Sequence, residues 1–212
     1  MLSARLQRRL RRHHLPLAGV MLAFGWLLYI TRDYSDVITR LSFASAWLAL
    51  ALLALTLAIG PWRTLRGKAP AVSLDLRRDI GIWAGVVGLF HAVVGQCVHL
   101  RGRPWLYYIY EKWRAMPLRY DMFGFSNYTG LAAAILLAVL LATSNDFYLR
   151  RLGNRKWKTL QRWSYWGAGF ASLHTFGYLL GIETAKPGYM ILAVLVIAAT
   201  AILQVMSWRR RV

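Results

Sequence analysis

Six apolar stretches constrain this chain more than anything else in it. Residues 15–31, 41–60, 80–100, 124–143, 163–180 and 189–208 approach or reach the ~17–25 residues a bilayer core requires. A backbone in lipid must satisfy its own hydrogen bonds, so runs of this length read as helices. The hydrophilic segments between them are too short to fold as domains. The expectation is an all-α, integral membrane six-helix bundle over residues 15–208, with basic tails at 1–14 and 209–212. A hydrophobic content of 58% places the chain in the same class.

The formal charge of +19 would suit nucleic acid, but the cations alternate with the apolar runs instead of covering one soluble face. Of the 27 Lys and Arg, 19 fall in 1–14, 61–79, 144–162 and the C-terminal tail, and 8 fall in 32–40, 101–123 and 181–188. The positive-inside rule then puts both termini in the cytoplasm. The partner implied is a lipid bilayer and not nucleic acid. The basic start followed by an apolar run resembles a signal peptide, but no small-residue cleavage site follows Ile30, so the segment is kept as a first transmembrane helix. His13 and His14 belong to the basic tail and are expected in solvent or among lipid headgroups.

The single cysteine, Cys97, excludes an intramolecular disulfide, a four-thiolate iron–sulfur cluster and a C-x-x-C-H haem attachment. It is expected to be a small buried apolar residue.

Two histidines stand inside the apolar runs, where an ionisable side chain is costly and has a partner or a function. His91 lies 11 residues after Ile80, and His174 lies 11 residues after Trp163. With both termini inside, their helices run the same way, and each imidazole sits about 16 Å along its helix. Gly88 and Gly95 flank His91 at helical spacing, and Ala171 and Gly177 flank His174. Equal height on two small-residue faces suits a planar macrocycle held edge-on, with the imidazoles as axial ligands of one haem. The alternative is close helix packing, for which small residues are common in membranes, or a hydrogen-bonded core pair. Packing alone does not call for a histidine on each stripe. No carboxylate lies inside any of the six runs, which disfavours di-iron and zinc centres and ion-coupled transport. His99 falls near the outer boundary and is a secondary metal candidate. Residues 101–123 form the one long outer segment; its aromatics around Trp105–Trp113 read either as an interfacial helix or as a lid or docking surface.

Several short motifs carry a family resemblance. Arg77-Arg78-Asp79-Ile80-Gly81 leads into the third run and His91. Thr143-Ser144-Asn145-Asp146 follows the fourth, and Leu152-Gly153-Asn154-Arg155-Lys156-Trp157 with Leu160-Gln161 leads into Tyr165 and His174. In this order the chain resembles the ferric-reductase-like transmembrane family, within it the haem-binding membrane subunits of methionine sulfoxide reductase systems. The resemblance implies a b-type cytochrome of the bacterial inner membrane. It would take electrons from a flavin reductase or the quinone pool and pass them to a separate periplasmic redox partner. It would be the electron-transfer subunit of an oxidoreductase and not a stand-alone enzyme. Where similar chains carry a histidine linked with a second, inner haem, this one has Gln161, so one haem b is expected. Arg77 and Arg78 are read as cytoplasmic-side anchors, or as contacts to a propionate or a cofactor head group. No G-x-G-x-x-G element following a strand is present to take NAD(P)H or FAD, so flavin or quinone enters only as an external donor. The competing readings are a haem-free membrane scaffold or assembly protein, and a small-solute transporter.

Overall fold

The computed structural model describes residues 4–31, 34, 36–67, 75–100, 102–111, 116–182 and 187–210. Helix α1 (Ala4–Arg9), a π-helical turn (Leu10–His14) and α2 (Leu15–Ile30) follow one another without a break. Then come α3 (Val37–Leu65), α4 (Asp75–Gly95), a 3-10 turn (Pro104–Tyr107), α5 (Met122–Thr143), α6 (Asp146–Gln161), α7 (Ser164–Gly181) and α8 (Pro187–Arg209). Among the described residues the one strand-like pairing is an antiparallel bridge between Ile109 and Leu118.

The helix starts are locally encoded. Asp36, Asp121 and Asn145 each accept a backbone N–H three residues on, from Thr39, Gly124 and Tyr148. Pro187 opens α8 at the position where its missing N–H costs nothing, so Pro187-Gly188 is a helix start; residues 183–186 lie outside those described.

Packing closes five helices into a ring. Helix α3 packs on α4, α4 on α5, α5 on α7, α7 on α8, and α8 back on α3. Helix α2 leans on α3 from outside, with Met21 joining Leu52, Ile80 and Ala84 in a small core. Helices α4 and α7, which carry His91 and His174, face one another across the ring, each flanked by α5.

Among the described residues, five helices are long and apolar enough to cross a membrane: Ala4–Ile30, Val37–Leu65, Asp75–Gly95, Met122–Thr143 and Pro187–Arg209. The expected span at 163–180 coincides with α7, whose Ser, Gly, Tyr, Trp and His content keeps it out of that set although it completes the ring.

Three expectations are corrected. Segment 144–162, read as a loop, contains α6, a helix with one polar and one apolar face. It breaks at Gly153, whose φ of 69° is a left-handed conformation that favours glycine. The basic tail is only partly solvated: Arg5, Arg8, Arg11 and Arg12 are exposed, but Arg9, His13 and His14 are drawn inward. Arg5 pairs with Asp75 at 2.8 Å, and Arg9, His13 and His14 converge on Asp79, which is wholly buried. The His13 Nδ1 and His14 Nε2 contacts are 2.7 and 3.2 Å. The π-helical turn allows this, because it brings residues five apart onto one face where an α-helix aligns those three or four apart. Cys97 is exposed, because α4 ends at Gly95 and the chain turns there.

Candidate functional site

His91 and His174 come together. Their ring centroids are 6.0 Å apart and their planes are inclined at 69°. Each ring is held by a helix other than its own. His91 Nδ1 lies 3.1 Å from the Ser42 carbonyl of α3, and His174 Nδ1 lies 2.7 Å from the Ser126 carbonyl of α5. A carbonyl only accepts, so both Nδ1 atoms carry the proton and both Nε2 lone pairs are left for a metal. A backbone carbonyl on the far nitrogen is the usual orienting partner of a metal-bound imidazole. The Ser45 hydroxyl lies a further 3.4 Å from His91 Nδ1.

The rings line a cavity of about 590 Å³, inside the range of cofactor pockets. Gly88, Gly95 and Ala171 also line it. Gly177 is placed elsewhere: it is buried against Ser126, where a Cβ would collide with the Ser126 side chain, and so lets α7 approach the carbonyl that holds His174. Gly130 was not singled out from the sequence. A Cβ there would stand 2.5 Å from His174 Nδ1, so α5 can pass behind this imidazole only as glycine. The signal was available in Ser126-Asn127-Tyr128-Thr129-Gly130, a small and polar run inside an apolar span.

Around the end of the cavity nearest the two histidines, residues 102–111 and 116–121 form a cap. Tyr107 is fully buried; its hydroxyl donates to the Gly95 carbonyl at 3.1 Å and accepts from the His99 N–H at 2.8 Å, closing the end of α4. Arg119 donates to the Leu106 carbonyl and pairs with Asp121 at 2.6 Å, and its guanidinium holds the Asp121 carboxyl below the usual carboxylate range. His99 is exposed and stacks on Tyr178 with ring centroids 6.2 Å apart, and Tyr178 in turn packs on His174 at 4.9 Å.

A second cavity of about 420 Å³ lies at the opposite end of the ring and shares Leu53 and Leu137 with the first. Arg77, Arg78, Trp157 and Gln161 line it. Arg78 pairs with Asp146 at 2.6 Å, which lowers the Asp146 carboxyl from its ordinary value. Arg77 donates to the Thr56 carbonyl at 3.1 Å. Gln161 donates to the Thr143 hydroxyl at 3.4 Å, and no histidine lines this cavity among the described residues.

Residues 45–172 match the family described as the ferric reductase like transmembrane component. The chain belongs to that family. The matched segment includes His91 and stops just before His174. The chain is 35% identical over 153 residues to the protein-methionine-sulfoxide reductase heme-binding subunit MsrQ of Deinococcus radiodurans, covering 72% of this chain and 67% of the relative. It is 34% identical over 163 residues to the subunit of the same name from Xanthomonas axonopodis pv. citri, covering 76% and 68%. Together with its apolar helices, this makes the chain a multi-pass membrane protein of the ferric reductase-like family. Among the described residues no group of three or more His, Cys, Asp or Glu side chains is gathered as a protein-only metal centre would require.

Proposed function

We propose that this protein is a b-type cytochrome of the bacterial inner membrane, with six spans and both termini in the cytoplasm. It would carry electrons from a flavin reductase or quinol to a separate periplasmic reductase. One observation carries the reading: two imidazoles 6.0 Å apart, each tethered through Nδ1 to a backbone carbonyl of a third helix, on the wall of an apolar cavity. His91 and His174 would fill both axial positions of a haem iron, which then supplies one-electron redox chemistry with no open coordination place. Gly88, Gly95 and Ala171 would give the macrocycle its room, and Gly177 the approach of α7. His99 would stay outside the ligand set.

A single haem is the count this donor set supports, since the second cavity offers Gln161 where an imidazole would be needed. Its Arg77 and Arg78 suit an acidic group, which fits the phosphate of a flavin head group or a propionate edge better than a neutral ligand. The relatives' name, heme-binding subunit of a protein-methionine-sulfoxide reductase, supports a reductase partner of that kind. With the cytoplasmic assignment, the arginine cavity faces the donor and the cap faces the acceptor.

The test is a reduced-minus-oxidised spectrum of the detergent-purified chain. A b-type band with about one haem per protein is expected. His91→Ala or His174→Ala should remove it and His99→Ala should keep it. Full haem in either of the first two variants, or a ratio near two, would overturn the ligand assignment or the count.

A further inference from the structure

We propose that the histidine cavity orients its ligand, with the polar edge toward the cap and a carboxyl arm received by Gln96 and Tyr108. This rests on the haem reading above and adds a direction to it.

The cavity is chemically two-ended. At the cap end its walls include Thr39, Ser42, Gln96, Tyr108, Asn127 and Tyr178. Thr175 and His99 lie at that end as well. Toward the arginine end the walls are Ala49, Leu50, Leu53, Gly88, Ala133 and Leu137. Apart from the two histidines and the Trp47 indole, every polar side chain on the wall is therefore near the cap. No Lys, Arg, Asp or Glu lines the cavity. A flat ligand with one acidic edge is stabilised only with that edge where hydrogen-bonding groups are found, because a buried polar group without a partner is costly.

One pair at the cap end is incomplete. Gln96 Nε2 donates to the Tyr108 hydroxyl at 2.8 Å, while Gln96 Oε1 is buried with no hydrogen-bond partner among the described residues. The Tyr108 hydroxyl accepts that bond and keeps its own proton to give. The pair thus offers one donor and one acceptor side by side, the complement of an un-ionised carboxyl group. With the amide turned over, so that its oxygen accepts from the Tyr108 hydroxyl, it offers an N–H to an ionised one. Buried polar atoms are rarely left unpaired in native proteins, so an orphan on a cavity wall points to a ligand group. Tyr108 is set there by its backbone: its carbonyl accepts from Arg119 N–H at 2.8 Å and from the Tyr128 hydroxyl. The cap therefore positions a binding residue and is more than a cover.

The experiment compares haem b with its dimethyl ester, in which both carboxyl arms are masked, each titrated into the haem-depleted full-length chain in detergent. Wild type should favour the free acid by about tenfold, the effect of one such hydrogen bond. Tyr108→Phe, which removes a single hydroxyl, should cut that preference by several-fold. Gln96→Leu combined with Tyr108→Phe should bring the two ligands within about twofold. Arg77→Gln should leave the preference as in wild type. Equal binding of acid and ester by wild type overturns the orientation but not the haem reading, as does a preference that survives the double variant or is lost in Arg77→Gln. Failure of wild type to bind either ligand removes the haem reading itself.

Discussion

Replacing Gly130 by Ala tests the histidine site through a residue that would not touch iron. A Cβ at 130 would stand 2.5 Å from His174 Nδ1, 2.9 Å from Cε1 and 3.2 Å from Cγ. The ring must move, and its 2.7 Å bond to the Ser126 carbonyl must stretch or break. Overpacking of this kind costs about 1–3 kcal/mol. Leaving the buried His174 N–H unpaired costs a similar amount, although the Ser126 carbonyl keeps its bond from the Thr129 hydroxyl. Ala is the better helix former by about 1 kcal/mol, which offsets only part of this, so the haem-free protein should lose about 1–5 kcal/mol. A second loss should appear in the metal site, where removing an orienting partner lowers affinity by about 10–100-fold. Gly95→Ala is the matched control beside the other histidine. Its Cβ would meet Ser42 Oγ at 3.7 Å and His91 Cε1 at 3.9 Å, both ordinary contacts. Haem titration into each variant, with a thermal melt of the haem-free form, separates the two effects. Wild-type affinity and spectrum in Gly130→Ala, or an equal loss in Gly95→Ala, would refute the placement of His174.

Two further outcomes follow from charges away from the cavity. Asp79→Asn strips the carboxylate from a pair whose side chains are 10% and 0% exposed, and breaking a buried pair on one side typically costs about 3–5 kcal/mol. The first helix should become cleavable by trypsin and the melting temperature should fall. Arg9→Gln added to Asp79→Asn should recover part of the loss, and unchanged proteolysis in Asp79→Asn would contradict the buried cluster. In the cap, Arg119 holds the Asp121 carboxyl below its usual range, so the pair contributes above the ordinary aspartate value near ~3.9 and is lost as pH falls through the depressed one. With side chains 22% and 38% exposed, the contribution is under about 1 kcal/mol. Amide protection factors in residues 104–110 should stay flat from about pH 8 to 5 and fall only below about 4, and Asp121→Asn should abolish that dependence.

Much of the fold was legible because membrane helices announce themselves by length and composition. The ring helices α3, α4, α5 and α8 sit on the expected apolar runs; α3 and α8 extend past them at both ends, α5 starts earlier and ends with its run, and α4 starts earlier and stops at Gly95, short of residue 100. What composition concealed was polar helix. Segment 144–162 carries six cations and reads as a topology signal, yet one apolar face and the Trp157 bond to the Thr143 carbonyl make it α6, packed under α5. The first 14 residues were concealed for the same reason. Counting charge treats Arg5 and Arg9 as tail, whereas Asp75 and Asp79, each 70 residues on, match them one for one along α4. A constant offset of 70 between two helices that both run away from the basic end is a parallel register. It is visible only once the acidic pair is read as the start of a helix instead of the end of a loop.

The site divides along the same line. His91 and His174 could be named because a histidine in an apolar run has no cheap explanation, and their equal offsets are simple helix arithmetic. Their supports are written on other helices. The Ser42 and Ser126 carbonyls are backbone atoms that carry no side-chain signature, and Gly130 looks like any small residue until the chain opposite it is known to be an imidazole. Gly177 shows how this misleads: its spacing from His174 is right for the cavity wall, but its rotation about α7 turns it to Ser126. Spacing along one helix therefore identifies the ligands, while the residues that aim them are fixed by contacts between helices. Gly130, and not a glycine of the histidine helices, is accordingly the position at which a single methyl group should most disturb the site.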